Sequence, residues 1–92
     1  MQYEYKTSFD RSFRKLPPLI QKKVSEAIDQ FIDFLDKKSE LPVGLGFKQY
    51  GKNYHEIRAD ISYRILLGMD KDLVLFYFVG NHDDIRRYVS NN

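Results

Sequence analysis

Apolar residues recur along this chain at two different periods, and the change from one to the other marks its architecture. Phe9, Phe13 and Leu16 sit at the i, i+4, i+7 spacing of a helix that Thr7 or Ser8 can cap. Pro17-Pro18 ends it, because a residue before proline, here Leu16, is biased out of the α region. Pro18 suits the first turn of a second helix, where its missing N–H has no partner to lose. In that helix Ile20, Val24, Ala27, Ile28, Phe31, Phe34 and Leu35 form one apolar stripe. Lys22, Lys23, Glu26, Asp29, Asp33 and Asp36 fill the other side, and Lys37 and Lys38 suit the negative end of the helix dipole. The two helices read as a hairpin whose apolar face needs cover. Ahead of them, residues 2–6 alternate weakly and predict an edge strand.

Residues 39–46 hold Pro42, Gly44 and Gly46 and read as a loop. Beyond it the period drops to that of a strand. Residues 47–50 and 54–59 are strand-like around Gly51-Lys52-Asn53, and residues 62–67 form a second strand. After a turn at residues 69–72, residues 73–79 form a third strand, apolar on both faces and therefore central. Residues 81–92 are a polar tail with a short helix around Ile85 and Val89. The order strand, two helices, three-strand meander predicts an α+β fold. The N-terminal strand and helical hairpin pack on one face of a small, mainly antiparallel sheet. The other face is left open, and a short C-terminal segment follows.

Ninety-two residues predict one domain. A hydrophobic share of 42% with 15% aromatic residues suffices for a core without staples. The absence of cysteine excludes disulfides and thiolate metal sites. No signal-like leader or membrane-length apolar run is present, which predicts a soluble, cytoplasmic protein with no membrane partner. The net charge of +2 is spread over both halves among acidic residues, so any nucleic-acid role must rest on local geometry.

That geometry centres on residues 54–66. If Ile57 and Ala59 face the core, His55 goes with them and Tyr54, Glu56 and Arg58 face outward. Arg64 on the next strand shares the open face, and His82 lies at its rim, with Arg86, Arg87 and Tyr88 close by. Such a set suits cleavage of RNA through the ribose 2′-OH without a metal. Glu56 is a candidate base, and His82, which titrates in the useful range, a candidate acid. Arg58 and Arg64 can take the non-bridging phosphate oxygens, and Tyr54 or Tyr88 can stack on a base. Each feature also has a plainer reading. An outward Glu-x-Arg pair is ordinarily a surface ion pair, and His55 reads as a core histidine. His82-Asp83-Asp84 resembles a helix cap, and Lys48 and Lys52 resemble solvated loop lysines. Two histidines 27 positions apart with no third ligand argue against a metal site, and no cofactor motif is present.

Taken in order, these residues resemble the RelE/ParE superfamily of type II toxin–antitoxin toxins, over nearly the whole chain. The resemblance runs through Phe9-x-x-Ser12-Phe13-x-x-Leu16-Pro17, the long helix to Leu35 and Gly44-x-Gly46-Phe47-Lys48. It continues in Tyr54-x-Glu56-Ile57-Arg58 and Tyr63-Arg64-Ile65. The ending Gly80-Asn81-His82-Asp83-Asp84-Ile85 is similar to the YafQ-like branch. The resemblance implies a ribosome-dependent, metal-independent mRNA endoribonuclease acting in the ribosomal A site. It implies no cofactor, and a cognate antitoxin as partner in a toxin–antitoxin hetero-oligomer. The family's strand arginine maps onto Arg64 and its acid histidine onto His82; Glu56 and Arg58 take its Glu-x-Arg positions. Lys48 and Lys52 fall where the family often contacts RNA. Arg86 stands where an aromatic residue is frequent, and Tyr88 follows two positions later. Two alternatives stay open: a ParE-type poison of DNA gyrase, and a member that binds its antitoxin without nuclease activity.

Overall fold

The structure is a computed structural model that describes residues 1–37 and 39–91. Its elements run β1 (Gln2–Tyr5), α1 (Thr7–Arg14), α2 (Pro18–Lys37), β2 (Lys48–Tyr50), β3 (Tyr54–Arg58), β4 (Arg64–Asp70), β5 (Leu73–Gly80) and α3 (His82–Asn91). Lys38, assigned above to the end of the second helix, and Asn92, assigned to the tail, lie outside the described residues. The strands form one sheet in the order β1-β5-β4-β3-β2. Only β1 is parallel to its neighbour; the other pairs are antiparallel, as expected of an α+β fold of this kind.

The N-terminal half follows its pattern closely. Val24, Ala27, Ile28 and Phe31 of α2 are buried, and Ile20, Phe34 and Leu35 pack at the margin of the same core. On the sheet side that core takes Ile57, Ile65, Leu67, Val74, Phe76 and Val79, each no more than 2% exposed. Pro18 is the first residue of α2, as its fixed φ favours. Gln21 then reaches back and donates to the carbonyls of Phe13 and Leu16, both at 3.1 Å, which ties the start of α2 to the connection from α1.

Neither Thr7 nor Ser8 caps α1. The capping position is Lys6, with extended backbone and no side-chain cap. The cause is long-range: the Lys6 amide donates to Phe76 of β5 at 2.9 Å, which ends the extended segment at Lys6 and lets the helix begin at Thr7, earlier than a Thr7 or Ser8 cap implied. Ser8 is thereby turned toward the sheet, where its hydroxyl donates to the Tyr77 carbonyl. One turn later Ser12 Oγ donates to Phe9 O at 2.9 Å and accepts the Val79 amide at 3.0 Å. β1 pairs with β5 only as far as Phe76. Beyond that residue, two helix serines replace the strand.

The meander has four strands rather than three. Residues 47–59 divide at the Gly51 turn into β2 and β3, which pair as a hairpin, because Gly51 adopts a positive φ of 64° there. β4 begins at Arg64, not at Ser62. Asp60 Oδ1 accepts the amides of Ser62 (2.7 Å) and Tyr63 (3.1 Å), folding those residues into a turn. At its far end β4 runs on to Asp70, and the hairpin turn narrows to Lys71-Asp72, with Lys71 at φ 56°. β5 lies between β1 and β4, an interior strand that accounts for its two apolar faces.

The second sheet face is not left open, which corrects the expectation above. α3 packs across β5 and β4 on that side. Ile85 and Leu66 are fully buried there, outside the main core, and Tyr88 stacks on Phe78 with ring centroids 4.8 Å apart. Among the described residues α3 covers the β5 and β4 side of this face and not the β3 and β2 side.

Candidate active site

Strand register decides which side chains meet on the second face. Arg58, Arg64 and Gly80 fall on one row across β3, β4 and β5; Lys48, Glu56, Leu66 and Phe78 fall on the next across β2 to β5. The charges are therefore neighbours by construction.

Glu56 is the centre of the group and is only 4% exposed. Its Oε1 lies 3.5 Å from Lys48 Nζ and 3.9 Å from Arg64 Nε, so one oxygen serves two cations. Its Oε2 is buried and has no hydrogen-bond partner among the described residues. Glu56 faces away from the α1–α2 core as predicted, but it is buried, with Lys48 and Leu66 as its register partners on either side. Arg64 is anchored from the turn before β4: its Nη1 donates to the carbonyls of Asp60 at 3.1 Å and Ile61 at 3.3 Å. That turn is itself held in place. Amide donation from Ser62, then from Tyr63, with Lys23 3.6 Å from Oδ2, holds the Asp60 carboxyl below its ordinary value.

Arg58 does not join Glu56. It is exposed, leans over Gly46, and makes no ion pair or side-chain hydrogen bond among the described residues. Gly46 has a positive φ of 61°, which favours glycine there, and Arg58 lies at van der Waals distance above it.

His82 is exposed and is the first residue of α3. A reciprocal cap fixes its backbone: Asn81 Oδ1 accepts the Asp84 amide at 2.8 Å, and Asp84 Oδ2 accepts the Asn81 amide at 3.1 Å. The cap-like reading of this segment thus holds for Asn81 and Asp84, and leaves the imidazole unused by it. Since Gly80 is the register partner of Arg64, His82 follows that arginine's row by two residues.

The remaining candidates divide. Tyr54 stands on the same face, edge-on to Tyr77 at 5.4 Å. Lys52 is exposed in the turn between β2 and β3, without an ion pair among the described residues. Arg86 and Arg87 do not converge on the cluster: each is paired along α3, with Asp83 and Asp84 respectively, at the i, i+3 spacing. Tyr88 is half-buried against Phe78, and its hydroxyl meets Ser8 Oγ at 3.2 Å. His55 is on the core face as expected, stacked on Phe47 at 5.3 Å, with Nδ1 buried and unpartnered. Among the described residues no group of three or more His, Cys, Asp or Glu side chains could hold a metal ion.

The sequence reading did not single out Tyr77, which it left within the apolar strand at residues 73–79. Its ring lies over Gly68, where an added Cβ would come within 2.8 Å, and burial chiefly, then the neighbouring phenols, pushes its hydroxyl above its ordinary value. β5 has one residue more than β4 between Phe76 and Phe78, a bulge that leaves Tyr77 and Phe78 both on the second face.

No family model and no curated protein sequence matches this chain. Solved structures do. The RelB–RelE antitoxin–toxin complex from Methanococcus jannaschii matches at 23% identity and a TM-score of 0.68, over 91% of this chain and 95% of that one. A copper-bound mutant toxin from Helicobacter pylori matches at 20% identity and 0.71, over 92% and 98%. The E. coli DinJ–YafQ complex matches at 17% identity and 0.67, over 91% and 96%. With its sheet order, helical hairpin and C-terminal helix, the chain has the fold of the RelE-like toxins.

Proposed function

We propose that this protein is the toxin of a type II toxin–antitoxin module and cuts mRNA on the ribosome, through the ribose 2′-OH and without a metal. The observation that carries the reading is Glu56. A carboxylate with one oxygen shared by two cations and the other buried without a partner is a poor way to stabilise a sheet. It is the kind of arrangement that active sites keep.

Arg64 is the cation for the developing phosphorane charge. Its Nη1 and Nε are committed to the turn and to Glu56, while Nη2 has no hydrogen bond among the described residues and is free to take a non-bridging oxygen. Lys48, with its side chain 66% exposed, is the mobile partner. An incoming phosphate draws it off Glu56, and the released carboxylate accepts the 2′-OH proton. The 2′-oxygen attacks phosphorus and the bond to the 5′-oxygen breaks, giving a 2′,3′-cyclic phosphate. The His82 imidazolium gives its proton to that leaving oxygen. Arg58, unpaired at the edge of the same row, binds the next phosphate along the strand, as does Lys52 on the β2–β3 turn. Tyr54 offers a ring for a base. The solved complexes of the same fold pair the toxin with an antitoxin, which supports the same kind of partner here.

The test is primer extension on mRNA from cells expressing the wild type, Arg64→Ala and His82→Ala. Cuts at in-frame positions that vanish in both variants are the expected result. DNA breaks with intact mRNA would instead make the protein a gyrase poison.

A further inference from the structure

A second cationic feature lies outside the Glu56 cluster. Between α1 and the start of α3 runs an open groove of 480 Å³, within the range of sites that take a small ligand. α1 lines one bank with Arg11 and Lys15, one helical turn apart. Both are exposed, and neither makes an ion pair among the described residues. Tyr63, Phe78 and Tyr88 give the groove an aromatic wall. Asp84 is the acid that lines it, and its oxygens are already taken by the Asn81 amide and by Arg87. The groove also adjoins the candidate active site. Tyr63 immediately precedes Arg64, and Gly80, which lines the floor, is the register partner of Arg64.

Resting on the nuclease reading above, we propose that this groove seats a nucleotide flanking the cut in single-stranded RNA. Arg11 and Lys15 hold its phosphate and the aromatic wall takes its base. An acidic protein segment would engage the two cations but leave the aromatic wall unused. A nucleotide uses both at once, and the groove opens where a strand crossing the Arg58–Arg64 row leaves the sheet.

The experiment is binding of a short, fluorescent 2′-O-methyl oligoribonucleotide, which cannot be cut, at several salt concentrations. Wild type is compared with Arg11→Ala/Lys15→Ala and with Lys22→Ala/Lys37→Ala, which removes the same charge from the two ends of α2, outside the groove lining. Circular dichroism melts confirm that each variant is folded. With about 0.7 counterions released per phosphate neutralised on a single strand, the first variant, which loses one phosphate contact, should lose roughly 0.7 from the slope of log affinity against log salt. It should also bind at least about tenfold more weakly at low salt, while the control changes far less. Equal slopes and affinities for wild type and Arg11→Ala/Lys15→Ala overturn the subsite, as does a wild type that binds no RNA at low salt. Unchanged RNA binding with lost affinity for a polyglutamate peptide overturns it in favour of a protein occupant. Failure of the nuclease reading shows separately, as absence of ribosomal mRNA cleavage by the wild type, because binding is read on uncuttable RNA.

Discussion

Replacing Glu56 with leucine should make this protein more stable and inactive at once. Leucine is close in size to glutamate, so no large cavity opens beside Leu66, which is 0% exposed. Removing one member of a buried ion pair ordinarily costs about 3–5 kcal/mol, because the other charge is left uncompensated. That penalty does not apply here: Lys48 is 66% exposed on its side chain and returns to water, and Arg64 keeps both its carbonyl acceptors. The attraction lost is that of two long contacts, 3.5 and 3.9 Å, to partly solvated cations, worth about 1 kcal/mol together. Against it stands the unpartnered Oε2, whose burial costs about 1–3 kcal/mol, besides desolvation of the charge itself. The balance favours the variant by roughly 1–2 kcal/mol, and a chain of this length gains about 4–8 °C in Tm per kcal/mol. Urea titration and a thermal melt read the stability. Ribosomal mRNA cleavage, expected to fall by about 10²–10⁴, reads the lost base. If Glu56→Leu were destabilised by more than about 1 kcal/mol, Glu56 would be a stabilising structural residue, and the argument that it is retained for chemistry would collapse.

Three further outcomes follow from other parts of the molecule. Ser12→Ala strands the Val79 amide in the interior and should cost about 1–3 kcal/mol in urea unfolding, whereas Thr7→Ala, at an exposed position that caps nothing, should cost far less. Gly80→Ala puts a Cβ 2.7 Å from that of Asp84, so α3 must shift; a loss of about 1–3 kcal/mol is expected. Cleavage should fall mainly in kcat, because His82 moves with the helix. Asp60, held below its ordinary value by the Ser62 and Tyr63 amides and by Lys23, stabilises the fold above its unfolded pKa of about 3.9, and that contribution fades as pH falls through the lower folded value. Asp60→Asn should therefore be less stable than wild type by about 1 kcal/mol near neutral pH, with the gap closing in strong acid, as urea midpoints at the two pH values would record.

Local periodicity carried most of the fold, and its misses share a cause. The α2 stripe and the Pro17-Pro18 break were legible because helix pattern and proline sterics act within a few residues. Ser8 and Ser12 were not, because their partners on β5 lie 69 and 67 positions away. The cover on the second face was hidden for a related reason. Ile85 is one of few apolar residues in a polar helix, and only packing reveals that it is fully buried over the sheet. At the site, alternation placed Glu56 and Arg64 together on one face. It had no means of seeing that Glu56 would be enclosed, that Arg58 would lean away over Gly46, or that Arg86 and Arg87 would be claimed by acids of their own helix. In β5 simple alternation fails after Phe76, because a bulge puts Phe78 on the second face and Val79 in the core.

The two α1 serines have a consequence for how the molecule meets other chains. An unpaired strand edge invites a stranger's backbone to join it, the first step of both strand-addition binding and aggregation. β1 shields β5 only up to Phe76, and from there Ser8 holds the Tyr77 carbonyl while Ser12 holds the Val79 amide. The end of β5 nearest His82 is therefore sealed without a strand, and it cannot be zipped into a growing sheet. Any partner that docks by adding a strand is steered to the outer edges of β1 and β2. A substitution that unseats α1 would expose, beside the candidate catalytic residues, a stretch of sticky edge that the fold now keeps closed.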